Sequence, residues 1–197
     1  MTVQHPSLTA VSTAPRPRTD RPRADRPRAD RPRTIAVVIT DSPMGGMLVA
    51  HGERGVCAVL LGDDRDALQR ELATRFPGAT FTEGDDAAHA AAARVVAAID
   101  DPARAHDVAL DARGTPFQRL VWQALREIPR GTTATYTEIA ARIGLPSAAR
   151  AVAGACAANP LAVVVPCHRV VRSDGGLSGY RWGVERKRAL LAREAGG

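Results

Sequence analysis

Cys167 and His168 place a thiol and an imidazole side by side, directly after the apolar run 163–165 and Pro166. A thiol attacks as its thiolate, which forms when a base or a positive charge lies nearby. The apolar run predicts a buried strand that ends at Pro166, and neighbouring side chains of an extended segment point to opposite sides. Cys167 and His168 would therefore cooperate only through a turn or a bridging water. The pair predicts nucleophilic attack by sulfur; the alternative is that the two residues are neighbours by coincidence.

Other titratable residues narrow this chemistry. Glu194, in the predicted helix 189–195, could orient the imidazole of His168. Cys57 lies within an apolar segment and is predicted to be a small buried hydrophobic residue. Three histidines lack ligand-like spacing to a cysteine or to a pair of carboxylates: His51, His89 and His106. We therefore expect no metal ion and no cofactor.

The composition is typical of a globular protein from a reducing compartment. The 197 residues are 45% hydrophobic and 24% charged, which suits one large domain or two small ones. The three cysteines are too few and too scattered for a disulfide framework, which favours the cytoplasm. No apolar run approaches the roughly 20 residues that span a bilayer, and the N-terminus lacks the apolar segment of a secretory signal. We expect no contact with a membrane.

The charge of the chain divides into three sections within a net charge of +6. Residues 1–34 carry eight arginines and three acids, and residues 35–114 carry seven arginines and thirteen acids. Residues 115–197 carry eleven arginines, one lysine and five acids. A basic C-terminal section is typical of a nucleic-acid-binding surface, but an arginine-rich surface that meets only solvent has the same composition.

Residues 1–33 are predicted to be a disordered basic tail. The sequence PRPRTDRPRADRPRADRPRT repeats a short unit of arginine, proline and aspartate and holds no large apolar residue, so it cannot build a core. The tail could act as a weak arm that attracts phosphates. We favour the simpler interpretation, a leader that takes no part in function.

The sequence pattern of residues 34–113 predicts an α/β domain. Short apolar segments joined by glycine-containing turns indicate an antiparallel meander of strands. Leu68, Leu72 and Phe76 recur at helical spacing behind an aspartate cap. The predicted strands are 34–40, 47–52, 56–62 and 107–112, and the predicted helices are 63–76 and 86–100.

Residues 114–197 predict a mostly helical domain with strong helix-start signals. Thr115 and Gln118 have the spacing of a capping box with a proline at the first helical position, and Thr135 and Glu138 have the spacing of a second one. Gly144 ends the helix that the second box begins.

Two short helices in this domain have the outline of a helix-turn-helix. A tight connection at 145–147 leads into the helix 148–159, which is built from small residues with one long side chain, Arg150. Small residues would let the backbone of this helix approach another surface closely.

The run PCHRV at 166–170 is preceded by Asn159-Pro160 and followed by GYRWG at 179–183. In this spacing it closely resembles the methylated-DNA–protein-cysteine methyltransferases, also called O6-alkylguanine-DNA alkyltransferases. The resemblance covers residues 34–197, and the GYRWG form is similar to the alkyltransferase domain of bacterial adaptive-response proteins. Their separate zinc-binding, phosphotriester-repair and activator section has no counterpart in residues 1–33, which contain no cysteine.

The resemblance implies a fold and a set of catalytic roles. The fold is α+β, with a ribonuclease-H-like α/β domain followed by a mostly helical domain with a winged-helix-like helix-turn-helix. Cys167 is the implied alkyl acceptor, His168 the residue that deprotonates it through a water, and Glu194 the residue that holds His168. Asn159 is implied to brace the active-site turn. Tyr136 is implied to donate a proton or a hydrogen bond to N3 of the leaving guanine.

The resemblance also implies a DNA-binding helix and an alkyl pocket. Arg150 matches an arginine finger that fills the gap left by a flipped nucleotide. Small residues on the same helix are implied to lie against the minor groove: Ala148, Ala149, Ala151, Gly154 and Ala155. The implied pocket lining is Val165, Tyr180, Arg181 and Trp182.

The function that follows from the resemblance is direct DNA repair. A cytoplasmic monomer would move the alkyl group of O6-alkylguanine, and of O4-alkylthymine, from double-stranded DNA to Cys167 in a single turnover. Two other classes stay open on the residues alone. One is a DNA-binding module that senses the lesion without chemistry, and such proteins lack the acceptor cysteine that is present here. The other is a cysteine hydrolase that uses Cys167 and His168 over many turnovers.

Overall fold

The computed structural model describes residues 33–177 and 179–196, and its architecture is mixed α+β. The predicted tail, apart from Arg33, lies outside the described residues. The strands are β1 (Thr34–Ser42), β2 (Gly45–Gly52), β3 (Gly55–Leu61), β4 (Thr80–Glu83), β5 (Ala134–Thr135) and β6 (Val170–Val171). The helices are α1 (Arg65–Arg75), α2 (Asp86–Asp100), α3 (Pro116–Arg126), α4 (Tyr136–Arg142), α5 (Ala149–Ala158) and α6 (Val184–Ala195). Two segments, Pro102–Asp107 and Cys167–Arg169, are short 3₁₀ turns.

The first three strands form the predicted antiparallel meander, and β4 joins it in parallel with β1, so the sheet order is β3-β2-β1-β4. Gly45 begins β2 with a φ of +89°, and a Cβ there would lie 2.5 Å from the Asp63 carboxylate, so the turn requires glycine. Strand β3 is buried along its whole length. The sequence missed β4, because all four of its residues are exposed and give no buried face to detect.

Helices α1 and α2 confirm the two helices that were predicted between residues 63 and 100. Asp64 caps α1 by accepting a hydrogen bond from the backbone N–H of Ala67 at 3.0 Å, and Asp85 caps α2 through Ala88 at 2.8 Å. Both helices pack against the sheet. The face of α2 that is buried consists of Ala88, Ala91, Ala92, Val95, Ala98 and Ile99.

The strand predicted at 107–112 is wrong. Leu110 makes one isolated parallel bridge to Val56, which donates its N–H to Ala109 at 2.8 Å and accepts from Asp111 at 2.8 Å. The Asp111 carboxylate is buried and forms ion pairs with Arg54 and Arg113, each at 2.6 Å, so side chains hold this segment in addition to its two backbone hydrogen bonds to Val56.

The apolar run 163–165 is not a strand either. Its backbone turns, with Val163 at a φ of +69°, a conformation that β-branched residues rarely adopt. Just before the run, the backbone joins β3: Val59 donates to Pro160 at 2.8 Å and accepts from Ala162 at 3.0 Å. The run is buried because it is tied to the most buried strand of the sheet.

Both predicted capping boxes form. The Thr115 side chain accepts from the Gln118 N–H at 3.2 Å while Gln118 accepts from the Thr115 N–H at 2.9 Å. Thr135 and Glu138 make the same reciprocal pair at the start of α4. These local bonds satisfy backbone donors that a helix end leaves open, which is why the two helix starts were readable from sequence.

The helix pair α4–α5 follows the predicted outline. Gly144 has a φ of +76° and ends α4, and α5 begins at Ala149. Helix α3 packs against α5, and the indole N–H of Trp122 on α3 donates to the Ala155 carbonyl on α5 at 2.9 Å. Ala155, expected on the DNA-facing side, is buried at this contact.

Helix α6 begins five residues earlier than the predicted helix 189–195 and returns the chain to the site. The short strands β5 and β6 pair in parallel, with Thr135 opposite Val171. This pairing sets the first turn of α4 beside the segment that follows Cys167. Among the described residues, none of the helices combines the length and the apolar character needed to cross a bilayer.

Candidate active site

Cys167 opens the 3₁₀ turn Cys167–Arg169, directly after Pro166. Its backbone N–H donates to Val165 at 2.8 Å, and the Arg169 N–H donates to Pro166 at 3.0 Å. The turn replaces the extended geometry that was expected here, so that Cys167 and His168 are no longer forced to opposite sides. Both side chains are buried.

Asn159 holds this turn from the end of α5. Its side-chain N–H₂ donates to the Val165 carbonyl at 2.9 Å and to the Cys167 sulfur at 3.2 Å. Its side-chain oxygen accepts from the Leu161 N–H at 2.9 Å. The amide is fully buried, and one side chain thus satisfies the backbone that would otherwise pair in a strand.

His168 lies against Glu194 of α6, with Nε2 2.8 Å from the carboxylate. Arg169 donates two further hydrogen bonds to the same carboxylate, at 2.8 and 2.9 Å, and a third to the Ile128 carbonyl at 2.6 Å. All three side chains are buried. The sequence had linked Glu194 to His168; the partner that balances its charge, Arg169, was not singled out.

The protonation state of this triad follows from the charges. Burial on its own would raise the pKa of Glu194, but the hydrogen bonds from His168 and Arg169 outweigh it and lower the pKa to about 2. Burial also lowers the pKa of His168 below its usual 6.5, although Glu194 opposes this. Because Arg169 already neutralises Glu194, we take His168 as neutral, with Nε2–H donating to the carboxylate. Its Nδ1 is then a lone pair, and this buried atom has no hydrogen-bond partner among the described residues.

Opposing effects act on the pKa of the Cys167 thiol. Burial raises its pKa to about 11, while the hydrogen bond from Asn159 and the positive charge of Lys187 both lower it. Lys187, on α6, is 1% exposed and donates to the Val170 carbonyl at 2.5 Å. A buried ammonium group beside the turn thus favours the thiolate that attack requires.

Two aromatic residues of the predicted pocket are buried against each other. Tyr180 and Trp182 meet edge to face with ring centroids 5.2 Å apart. Burial raises the pKa of Tyr180, and the neighbouring Cys167 raises it further. Val165, also expected in the lining, is buried in the turn. Trp182 also lines a surface cavity of about 580 Å³ with Met44, so one side of its indole faces away from Tyr180.

Arg181 differs from the expectation that it lines the pocket. Its guanidinium lies at the surface, donating to Glu71 of α1 at 2.9 Å and to the Ala157 carbonyl at 3.3 Å. The residues on either side of it turn inward while Arg181 turns outward.

The predicted DNA-binding residues of this helix pair, apart from Ala155, are exposed or half-buried. Arg150 and Ala151 are exposed on the first turn of α5. Gly154, one turn further along, is also exposed, and a Cβ added there would meet open space. Ala148 and Ala149 are half-buried at the start of the helix. Tyr136 is the first residue of α4 and is half-buried.

Known proteins with related sequences decide the family. The family model for the "6-O-methylguanine DNA methyltransferase, DNA binding domain" matches residues 116–196. A "Methylated-DNA--protein-cysteine methyltransferase" of Methanosarcina barkeri is 40% identical over 156 residues, which are 79% of this chain and 94% of that protein. The chain belongs to the methylated-DNA–protein-cysteine methyltransferase family.

Two further members of this methyltransferase family define the extent of the likeness. The "Bifunctional transcriptional activator/DNA repair enzyme Ada" of Escherichia coli is 51% identical over 161 residues, 82% of this chain. This chain spans about half of that relative, 46% of its length. The crystal structure of "Mycobacterium tuberculosis OGT in complex with DNA" matches with a TM-score of 0.65 and 36% identity, covering 82% of this chain and 92% of that one.

Within this methyltransferase fold, sequence reasoning missed Arg169 and Lys187 as members of the site. Arg169 had a signal, since it directly follows the cysteine and histidine. Lys187 is the only lysine of the chain and is nonetheless buried, but nothing in its sequence neighbourhood distinguishes it from the surface arginines of α6.

Proposed function

We propose that this protein repairs DNA by moving the alkyl group of O6-alkylguanine, and of O4-alkylthymine, to Cys167 in a single turnover. The observation that carries the proposal is the buried turn in which Asn159 holds the thiol while His168, the next residue, is oriented by Glu194. This arrangement supplies a nucleophile, a base and the group that orients the base.

Each step of the alkyl transfer is assisted by a residue of the site. The thiol proton passes through a water to Nδ1 of His168, whose Nε2–H stays on Glu194. The Cys167 sulfur then attacks the alkyl carbon, the bond from that carbon to O6 breaks, and its electron pair stays on the guanine. Tyr136 donates to N3 of the leaving base and so offsets the charge that develops there. The product is a thioether, which has no easy leaving route, and each protein therefore acts once.

The target carbon lies inside a duplex, so the nucleotide must rotate out, at a cost of a few kcal/mol. Helices α4 and α5 serve as a helix-turn-helix whose second helix enters the minor groove. Arg150 fills the vacated stack, and the small side chains at Ala151 and Gly154 let the backbone come close to the groove. Family membership and the exposure of these residues support this assignment.

We also propose the finer architecture. The order β3-β2-β1-β4, with α1 between β3 and β4, supports a ribonuclease-H-like N-terminal domain at 34–113. The pairing of β5 with β6 beside α4 supports a winged-helix-like C-terminal domain at 114–197. We propose that the protein is a cytoplasmic monomer that associates with the nucleoid when it is bound to DNA.

One experiment separates this function from its rivals. The protein is incubated with a duplex that carries O6-methylguanine labelled in the methyl group. Label on the protein that reaches a plateau at about one methyl group per chain supports the proposed single turnover. Label that stays on tightly bound DNA would instead identify a lesion sensor, and methyl groups released over many turnovers would identify a hydrolase.

A further inference from the structure

Between β6 and α6, the described residues 172–177 and 179–183 form neither a helix nor a strand. We call residues 179–183 the rim segment. It contains Tyr180, whose ring lies near Cys167, and Trp182, which packs against that ring. Its backbone makes two hydrogen bonds among the described residues, from Gly183 to Tyr180 at 2.9 Å and from Lys187 to Gly183 at 3.3 Å, and side chains tie it to other elements.

One of these ties is a cluster of three charged residues, Glu71, Arg75 and Arg181. Nε of Arg181 and Nε of Arg75 donate to the same oxygen of Glu71, at 2.9 and 3.0 Å. Burial lowers the pKa of Arg75, and the positive charge of Arg181 lowers it further. Glu71 therefore holds together two guanidinium groups that repel each other.

The same cluster contacts the end of α5. Arg181 donates to the Ala157 carbonyl at 3.3 Å and Arg75 donates to the Ala158 carbonyl at 3.4 Å. These carbonyls are at the negative end of the helix, where cations are favoured. The next residue is Asn159, which holds the Cys167 sulfur. The cluster thus joins α1, the rim segment and the root of the active-site turn.

We propose that Glu71 is a positioning residue that limits the size of the alkyl group that Cys167 accepts, an inference that rests on the proposed function. Without its carboxylate, the two arginines are left facing each other. Arg181 is the more exposed of the two, with 38% of its side chain accessible against 17% for Arg75, so Arg181 is the one that moves outward. The rim segment follows it, Tyr180 moves away from the sulfur, and the pocket admits a larger group.

A second tie keeps the change local. Just beyond the rim segment, Arg186 donates to both oxygens of Asp63 at 2.8 Å and to the Met44 carbonyl at 2.8 Å. Loss of Glu71 therefore loosens the middle of the connection between Cys167 and α6 while its far end stays anchored to the sheet.

The test measures single-turnover transfer from two duplexes of one sequence, one with O6-methylguanine and one with O6-benzylguanine. We expect Glu71→Gln to raise the benzyl-to-methyl rate ratio by about 3- to 5-fold, the size expected for a partly exposed ion pair. Glu185→Gln is the matched control, because it makes the same change in an exposed pair with Arg188 on α6, outside the rim segment. Arg181→Gln removes the same tie and should also raise the ratio, and the double variant should raise it no further than Glu71→Gln alone, since both changes remove one interaction.

Several results would overturn the role of Glu71. One is an unchanged ratio in Glu71→Gln with methyl transfer retained; another is the same rise in Glu185→Gln; a third is additive effects of Glu71→Gln and Arg181→Gln. If Glu71→Gln does not fold, the surface variant Arg181→Gln decides alone, and an unchanged ratio there counts against the proposal. If the wild-type protein accepts neither the methyl nor the benzyl group, the proposed function itself is wrong. If the wild type transfers methyl but the benzyl-to-methyl ratio does not depend on Glu71, only the role of Glu71 is wrong.

Discussion

The three cysteines of the chain are all buried, but their surroundings differ. The Cys57 thiol donates to a backbone carbonyl of the sheet at 3.4 Å, and burial raises its pKa to about 11. Burial raises the pKa of Cys156 still further. Cys167 alone receives a side-chain hydrogen bond at sulfur and precedes an oriented histidine. The neighbouring residues of each cysteine, and not its exposure, therefore distinguish Cys167 as the candidate nucleophile.

Replacement of Cys167 by alanine or serine should abolish alkyl transfer and leave the affinity for DNA near that of the wild type, because only the acceptor sulfur is lost. The measurement is label on the protein together with binding to the same duplex. Cys57→Ala is the control and should still transfer. Label found on Cys57 or Cys156 in the Cys167 variants would show that the acceptor is assigned wrongly.

Lys187→Met should slow transfer by about 10-fold at neutral pH, because the pKa of the Cys167 thiol rises and less thiolate is present. The buried ammonium favours the thiolate of Cys167, and methionine fills similar space without charge. Lys187→Gln separates charge from hydrogen bonding, since an amide can still donate to the Val170 carbonyl. Single-turnover rates between pH 7 and 9 check this, and wild-type rates in both variants would contradict it.

Sequence predicted best those elements whose signals are local. The capping boxes at Thr115 and Thr135 fix helix starts through bonds that span three residues, and both form as expected. The strand predicted at 163–165 is wrong for the opposite reason, because its conformation depends on contacts outside the run. Its valines favour a strand, but Asn159 donates to the Val165 carbonyl and β3 binds the backbone just ahead of the run, contacts that no periodicity reveals.

At the scale of elements, α5 connects the proposed DNA contact at Arg150, on its first turn, with Asn159, which directly follows its last turn. Arg150→Ala should slow transfer in a duplex by at least about 10-fold, because the loss falls on nucleotide flipping. Transfer from a free O6-alkylguanine base, which needs no flipping, should be nearly unchanged. Arg94→Ala on α2 is a charge-matched control from an exposed helix face.

Equal losses on the duplex and on the free base would show that Arg150 does not act in flipping. A loss on the duplex that disappears at low salt would instead assign Arg150 to phosphate contact alone, since such contacts weaken as salt rises.

At the scale of the whole molecule, the site is assembled from distant parts of the chain. Glu194 reaches His168 from a helix near the C-terminus, and the backbone ahead of the turn is bound to β3, roughly a hundred residues earlier. Sequence could suggest Glu194 only from its place on a predicted helix, and the resemblance to known alkyltransferases supplied its role. Arg169 and Lys187 needed the fold, because burial of a charged side chain depends on what other elements cover it.

This assembly makes the stability of the protein sensitive to acid. Glu194 has a pKa lowered from 4.5 to about 2, so it stabilises the fold above pH 4.5 and this contribution is lost as the pH falls toward 2. His168 has a pKa below 6.5 in the folded protein, so below pH 6.5 its imidazole binds a proton more readily in the unfolded state. This difference also lowers stability as the pH falls. The free energy of unfolding in urea should therefore decline slowly from pH 6.5 and more steeply below 4.5, with Glu194 contributing about 3 kcal/mol.

Glu194→Gln removes the titrating carboxylate and leaves Arg169 without its charge partner. The variant should be less stable than the wild type at pH 7, and its stability should change less between pH 4.5 and 2. Glu185→Gln, which removes an exposed carboxylate from the same helix, should keep the wild-type profile. If the wild type and Glu194→Gln lose stability in parallel below pH 4.5, acid must unfold the protein through other carboxylates, and the buried pair of Glu194 and Arg169 would not be what couples the fold to pH.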